Sequence, residues 1–166
     1  MPELSLRPWS EADADDLVAC LDGDEEIMRW LDQIPQPYRR DDALAYIRGV
    51  AEQAFAITDA ETGRLLGSIG LRWNEPREVA EVGYWLRQDA RGDGVMTRAL
   101  ELATKLALES GAARVQLRAA VGNDASRRVA ERAGFRLEGI LRSAHWNPRL
   151  QRRVDWAMYS LLPDDR

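Results

Sequence analysis

The run EVGYWLRQDARGDGVMTRALELATKLALE, from Glu81 to Glu109, constrains the fold more than any other stretch of the chain. A short apolar segment leads into Arg91, Gly92, Asp93 and Gly94, after which Val95, Ala99, Leu102, Ala103 and Leu106 recur at helical spacing. The pattern predicts a strand that turns through glycines directly into a helix. The first turn of a helix carries unpaired N–H groups and the positive end of the helix dipole, so it attracts an anion without a basic side chain. Glycines let a ligand approach that backbone closely. Arg-Gly-x-Gly before a helix also occurs as a plain tight turn, and the motif alone leaves both readings open.

The remaining chain supplies the context. Glu3 to Trp9 alternates and reads as a strand, and Ser10 caps a helix that runs to about Leu21. Ile27, Met28, Trp30 and Leu31 suggest a short second helix before the loop of Pro35 and Pro37. Asp41 or Asp42 is the expected cap of a third helix, with Leu44, Ile47 and Val50 or Ala51 as its apolar stripe. The period then changes: Ala54 to Thr58, Arg64 to Trp73 and Val79 to Leu86 read as three antiparallel strands. Past the Gly-turn helix come a strand from Arg114 to Ala119, a helix from Asn123 to Ala133 closed by Gly134, and strands from Phe135 to Leu141 and Val154 to Leu162. A long connection through His145, Trp146, Asn147 and Pro148 is expected between the last two. One α+β domain over residues 1–166 with a mixed sheet accounts for this order.

Composition narrows the function. Lys plus Arg total 23 against 28 Asp plus Glu, a net charge of -5 with no dense basic run, which argues against nucleic acid. Cys20 is the only cysteine and His145 the only histidine, so neither a disulfide framework nor a metal site is expected. A reducing cytoplasm suits such a chain. No apolar run approaches the ~20 residues a membrane helix needs, and a soluble protein is expected.

Three separated motifs together resemble one family. EVGYWL followed by ARGDGVMTRAL, then NDASRRVAERAGFRLEGILR, then VDWAMYSLL are similar in order and spacing to the GNAT acyltransferases, and more closely to their RimJ/RimL-type branch of ribosomal-protein N-terminal acetyltransferases. The likeness runs from about Leu4 to Leu162 and includes WLDQIPQPYRRDDALAYI. It implies a GNAT fold, three layers α/β/α around a mixed, mostly antiparallel twisted sheet in which two parallel strands, here Val79 to Leu86 and Arg114 to Ala119, splay apart around acetyl-coenzyme A. The coenzyme would meet backbone at Trp85 and Leu86, and its pyrophosphate the N–H groups of Arg91, Gly92, Asp93, Gly94, Val95, Met96 and Thr97, with Asn123 and Ser126 beside the pantetheine. Asp89 and Asp93 depart from the family pattern, which has Gln or Arg and commonly Lys there. Both carboxylates are expected to face solvent, with Arg87, Arg91 or Arg98 compensating.

The implied reaction moves an acetyl group from a thioester to an amine. An alkyl ammonium of pKa ~10, or an α-ammonium of ~8, must first lose a proton, so a base or a path to water is required. His145 falls roughly where the branch often has a carboxylate and is the first candidate, its competing role being a surface hydrogen bond. Glu81, on the strand beside the coenzyme, is the rival. Ser126 is the candidate proton donor to the thiolate, and a bulge at Trp85 and Leu86 would offer an N–H to the oxyanion. Trp30, Tyr38, Trp73 and Trp146 are expected to rim the acceptor cleft and, with Asp22, Asp24, Glu25 and Glu26, to form an acidic aromatic mouth for a cationic amine. An amine-bearing peptide or small molecule is the expected partner, with a homodimer left open. The competing class is a catalytically idle module that binds coenzyme A.

Overall fold

The computed structural model describes residues 3–50 and 53–165. Alternation at Leu4–Pro8 produces β1, which pairs antiparallel with β2 (Ala54–Asp59); β3 (Leu65–Trp73) and β4 (Val79–Leu86) continue the meander. The carboxylate of Asp59 closes the first hairpin by accepting the N–H groups of Glu61 and Thr62 at 3.0 and 2.8 Å. β4 then lies parallel to β5 (Arg114–Ala120), but only from Val79 opposite Arg114 to Glu81 opposite Gln116. Beyond Glu81 the two strands separate. β5 pairs antiparallel with β7 (Arg152–Leu161), and β7 with β6 (Arg136–Asn147), giving the order β1-β2-β3-β4-β5-β7-β6. The register of β4 on β3 is continuous through Trp85 and Leu86, so the expected bulge is absent and the opening lies wholly on the β5 side.

A parallel pair needs a crossover, and here it is α4 (Val95–Glu109). Ala99, Leu100, Ala103 and Ala107 of α4 pack on Ala80, Val82, Val115 and Leu117 of the parallel pair, and α5 (Asp124–Arg132) adds Ala130 to the same core. The opposite face carries a second core, in which Trp85, Ala56 and Leu65 meet α1 (Ala14–Leu21), Ile27 of α2 (Glu25–Trp30) and Ile47 of α3 (Arg40–Val50). The three layers are those the family resemblance implies. Among the described residues no helix is long and apolar enough to cross a membrane.

Three local expectations change. Leu102 and Leu106 are not part of the buried stripe of α4; they are 39% and 40% exposed while Leu100 is fully buried. Successive helix positions differ by about 100°, so a face centred on the close-packing alanines 99, 103 and 107 turns 102 and 106 to its flank. The third helix begins at Arg40, which places Asp41 and Asp42 in its first turn, and Asp42 reaches back to accept the Arg39 N–H at 2.8 Å. Ala51 lies outside the described residues. Finally, His145, Trp146 and Asn147 belong to β6 rather than to a connection. An irregularity between Leu141 and His145, with Ser143 at φ 53, lets pairing resume at His145 opposite Val154. The turn proper is residues 148–151, held by Asn147 Oδ1, which accepts the N–H groups of Arg149 and Leu150, both at 3.0 Å.

The two leucines of α4 separate burial from sequence pattern. Leu100→Ala is expected to destabilise by about 2–5 kcal/mol, and Leu102→Gln to change stability by less than about 0.5 kcal/mol, as measured by urea unfolding.

Candidate active site

β4 hands the chain at Leu86 to a single 3₁₀ turn, Gln88–Ala90, and then to the glycine loop. Gly92 and Gly94 take φ values of 95 and 76, a region that L side chains rarely adopt, and a Cβ on Gly92 would meet nothing within 4 Å. Gly94 is the N-cap of α4, and no side chain caps that helix. The loop therefore ends in an open helix N-terminus flanked by empty space. Beside it, Gly94, Thr97, Arg98, Glu101 and Arg132 line a depression of about 330 Å³ that brings two guanidinium groups to the helix start.

The two carboxylates that depart from the family pattern are exposed. Asp89 bonds Arg64 and Arg87 at 2.5 and 2.6 Å. Arg91 turns inward instead. Its Nε and Nη2 donate to the Leu86 carbonyl at 3.1 and 2.9 Å, and Nη2 also pairs with Asp24, whose side chain is 8% exposed. Asp24 Oδ1 in turn accepts the N–H groups of Glu26 and Ile27, both at 3.1 Å, and so caps α2. The Arg91 guanidinium is thus a strut within the loop, not a counter-charge for Asp93. The Leu86 carbonyl, expected to face the coenzyme, is already satisfied by it.

At the other end of the gap, Asn123 caps α5 by accepting the Ser126 N–H at 3.1 Å. The Ser126 hydroxyl lies 3.0 Å from Tyr84 Oη, which also donates to the Ser126 carbonyl at 3.2 Å. Burial pushes the Tyr84 phenol up to about 12, with the Ser126 hydrogen bond opposing, so it remains a donor through the neutral range. Tyr84 is a site residue that the motif reading missed. Its signal is the β4 alternation Ala80, Val82, Tyr84, Leu86, in which one member of the apolar face carries a polar tip that needs a partner.

Glu81, Gly83 and Trp85 point to the other face of β4. Glu81 Oε1 accepts from Arg72 at 2.6 Å and from Arg118, and Oε2 accepts from Gln116 at 3.1 Å. Desolvation raises its pKa, but the hydrogen bonds of Arg118 and Gln116 and the charges of Arg118 and Arg72 outweigh that and hold the carboxyl below its ordinary range. Arg118 lies 4.4 Å from the Trp156 ring centroid, and His145 stacks on the same ring at 5.3 Å with a 17° interplanar angle. His145 Nε2 is 2.6 Å from Oδ2 of Asp32, an 8%-exposed carboxylate on the loop after α2. Nothing in a single sequence links two residues 113 positions apart, and Asp32 was not expected.

The predicted rim divides. Trp30 lies against the loop after β5: its Nε1 donates to Glu26 at 3.0 Å, and its ring edge would lie 3.3 Å from a Cβ on Gly122. Tyr38 is 5% exposed in the second core, its N–H bound to Asp22 at 3.1 Å, because the chain folds back under α1 after the prolines. Trp73 pairs with Ala80, six residues or about 20 Å back along β4 from Leu86, with Arg77 over its ring. It lies at the wrong end of the strand. Trp146 is 48% exposed, and strand alternation turns it to the face opposite His145. The acidic mouth is likewise occupied from within, since Asp22, Asp24 and Glu26 hold Tyr38, Arg91 and Trp30.

Comparison with known proteins agrees with this geometry. A family model described as "Acetyltransferase (GNAT) domain" matches residues 3–136. The ribosomal-protein-serine acetyltransferase of Escherichia coli is 33% identical over 105 residues, which cover 62% of this chain and 57% of that protein. The chain spans little more than half the length of the curated relatives it matches. Among solved structures, a GNAT acetyltransferase from Bacillus anthracis superposes with a TM-score of 0.88 at 18% identity, covering 99% of this chain and 98% of that one. RimL, the ribosomal L7/L12 α-N-protein acetyltransferase solved with coenzyme A, superposes at 0.85 with 23% identity over 98% and 96% of the two chains. These identities establish the fold, and the family model establishes membership: the chain belongs to the GNAT acetyltransferase family.

Proposed function

We propose that the protein is an acetyl-CoA-dependent N-acetyltransferase whose acceptor is a primary amine, on a peptide N-terminus or a small molecule. One observation carries this reading: the gap between β4 and β5 has an open helix N-terminus on two left-handed glycines at one end and the paired hydroxyls of Tyr84 and Ser126 at the other. The residues present fit coenzyme A. The N–H groups of Gly92 to Thr97 would hold its pyrophosphate, with Arg98 and Arg132 as counter-charges. Asn123 and the backbone at Trp85 would flank the pantetheine. When bound, it supplies an activated acyl group and a thiolate as leaving group.

The protein's own groups then divide the proton transfers. With Nε2 held by Asp32, His145 has Nδ1 for the acceptor's proton, and the carboxylate stabilises the imidazolium that results. With the thioester bound, the acceptor's proton would pass to His145 and the Ser126 hydroxyl would donate a hydrogen bond to the departing thiolate. Tyr84 has a single proton, shared between the Ser126 carbonyl and Oγ, and only when it turns that proton to Oγ is the serine's own proton free to point into the gap. Glu81, ionised and shared among three donors, anchors Arg118 and is the weaker base of the two candidates.

Acetyl-CoA turnover with a panel of amines tests the assignment: release of coenzyme A with at least one primary amine is expected, and tight coenzyme binding without turnover of any acceptor would favour the idle module. His145→Ala is expected to lower kcat about 100-fold, most at acid pH where the least free amine is present, and Asp32→Asn to follow in the same direction; full wild-type activity of His145→Ala across pH would remove His145 from the role of base. For the donor side, Tyr84→Phe should lower kcat about tenfold and Ser126→Ala at least as much, while the double variant falls no further than Ser126→Ala alone. Additive losses in that cycle would mean the two hydroxyls act separately.

A further inference from the structure

Gly83 lies in an interior strand, yet it is exposed, and a Cβ built on it would meet nothing within 4 Å. A hollow therefore opens in the sheet face above it, closed on the side of its β3 partner Gly70, where a Cβ would meet the Gln53 carbonyl at 3.2 Å. Arg72 and Glu81, paired across β3 and β4, stand at one end, and Arg118, two residues past Gln116, the last position of β5 paired with β4, stands across the gap. Two guanidinium groups face one carboxylate, which leaves one positive charge in excess. Both oxygens of Glu81 are engaged, by Arg72 and Arg118 on Oε1 and by Gln116 on Oε2.

Arg118 is held rigidly, with Nε and Nη2 on Glu81 and its plane over Trp156; among the described residues its Nη1 has no hydrogen-bond partner. Of the acidic side chains that would draw a polycation, Asp32 is engaged on His145 and Asp22, Asp24 and Glu26 on their own partners, and Glu25 is exposed on the first turn of α2. A guanidinium edge fixed before the ligand arrives binds a carboxylate with little ordering cost. The step from Gly83 to Trp85, where the gap has opened, is about 7 Å, the scale of one amino acid residue or a dipeptide.

We propose that Arg118, assisted by Arg72, forms a carboxylate subsite of the acceptor cleft, so that the acceptor carries an anionic group a few bonds from its primary amine. Two sources share that chemistry: a free amino acid, and a peptide whose first residue is Asp or Glu. The inference rests on the acetyltransferase reading and narrows its acceptor. The test compares kcat/KM for peptide amides that differ only in an N-terminal Asp or Asn, and for free glutamate against its dimethyl ester. A preference of about tenfold for the anionic member is expected, as one charge-assisted contact supplies, and the pair that shows it identifies the source. Arg118→Gln should bring the ratio close to one, and Arg72→Gln, at a side chain 66% exposed, should lower it in the same direction even where Arg118→Gln fails to fold. A ratio near one in the wild type, or one that survives both variants, overturns the subsite alone. No turnover of any amine overturns the acetyltransferase reading and the subsite with it.

Discussion

The parting of β4 from β5 after Glu81 is the constraint on which the rest of the molecule depends. Two parallel strands that stop pairing leave backbone groups near the core without ladder partners, and each such group left unsatisfied costs about 1–3 kcal/mol. The chain meets this with side chains. Arg91 takes the Leu86 carbonyl at the end of β4, while Tyr84 spans the opening to the first turn of α5, which Asn123 caps. The alanine face of α4 holds the two strands on one side through close packing while leaving the helix start open at the mouth. The gap is thus kept open by specific contacts, and those contacts deliver the polar groups a transferase needs.

Electrostatics follows from the same geometry. A chain of net charge -5 that is to hold a polyanion must keep its carboxylates away from the ligand or pair them. Here pairing prevails: Asp89 with Arg64 and Arg87, Asp24 with Arg91, Glu81 with Arg72 and Arg118. What remains at the helix N-terminus is backbone and the exposed Asp93, with Arg98, Arg132 and Glu101 nearby. The overall acidity therefore says little about the local field at either end of the gap.

Features written in consecutive residues were legible in the sequence. The glycine loop, the strand before it and the helix after it are one continuous run, and Asn123 capping a helix that carries Ser126 is a four-residue pattern. The family resemblance then supplied how the pieces assemble. What escaped depends on distant pairing. Asp32 meets His145 because α2 lies against the β6–β7 hairpin, and no periodicity encodes that contact. Tyr38, Trp73 and Trp146 are large aromatics on segments that flank the cleft in sequence, and size and sequence position alone do not fix where a side chain points. Register decides it, since an antiparallel partner at Ala80 sends Trp73 to the far end of the strand and a period of two turns Trp146 away from His145. Glu81 looked like a free strand carboxylate because its three donors come from β3 and β5.

The short helix α2 and the loop that follows connect these observations. Asp24 at its start is bound to the glycine loop through Arg91, Trp30 at its end lies over Gly122, and Asp32 just beyond holds His145. Asn147 and Arg149 add bonds to the Arg29 and Ile34 carbonyls at 2.8 and 3.1 Å. A helix of six residues has little stability of its own, so its position is set by what it touches at either end. The glycine loop and the β6–β7 hairpin are consequently linked through one weakly self-supporting element. Arg91 on Asp24 and Asp32 on His145 therefore brace the same short helix and the loop after it from opposite ends.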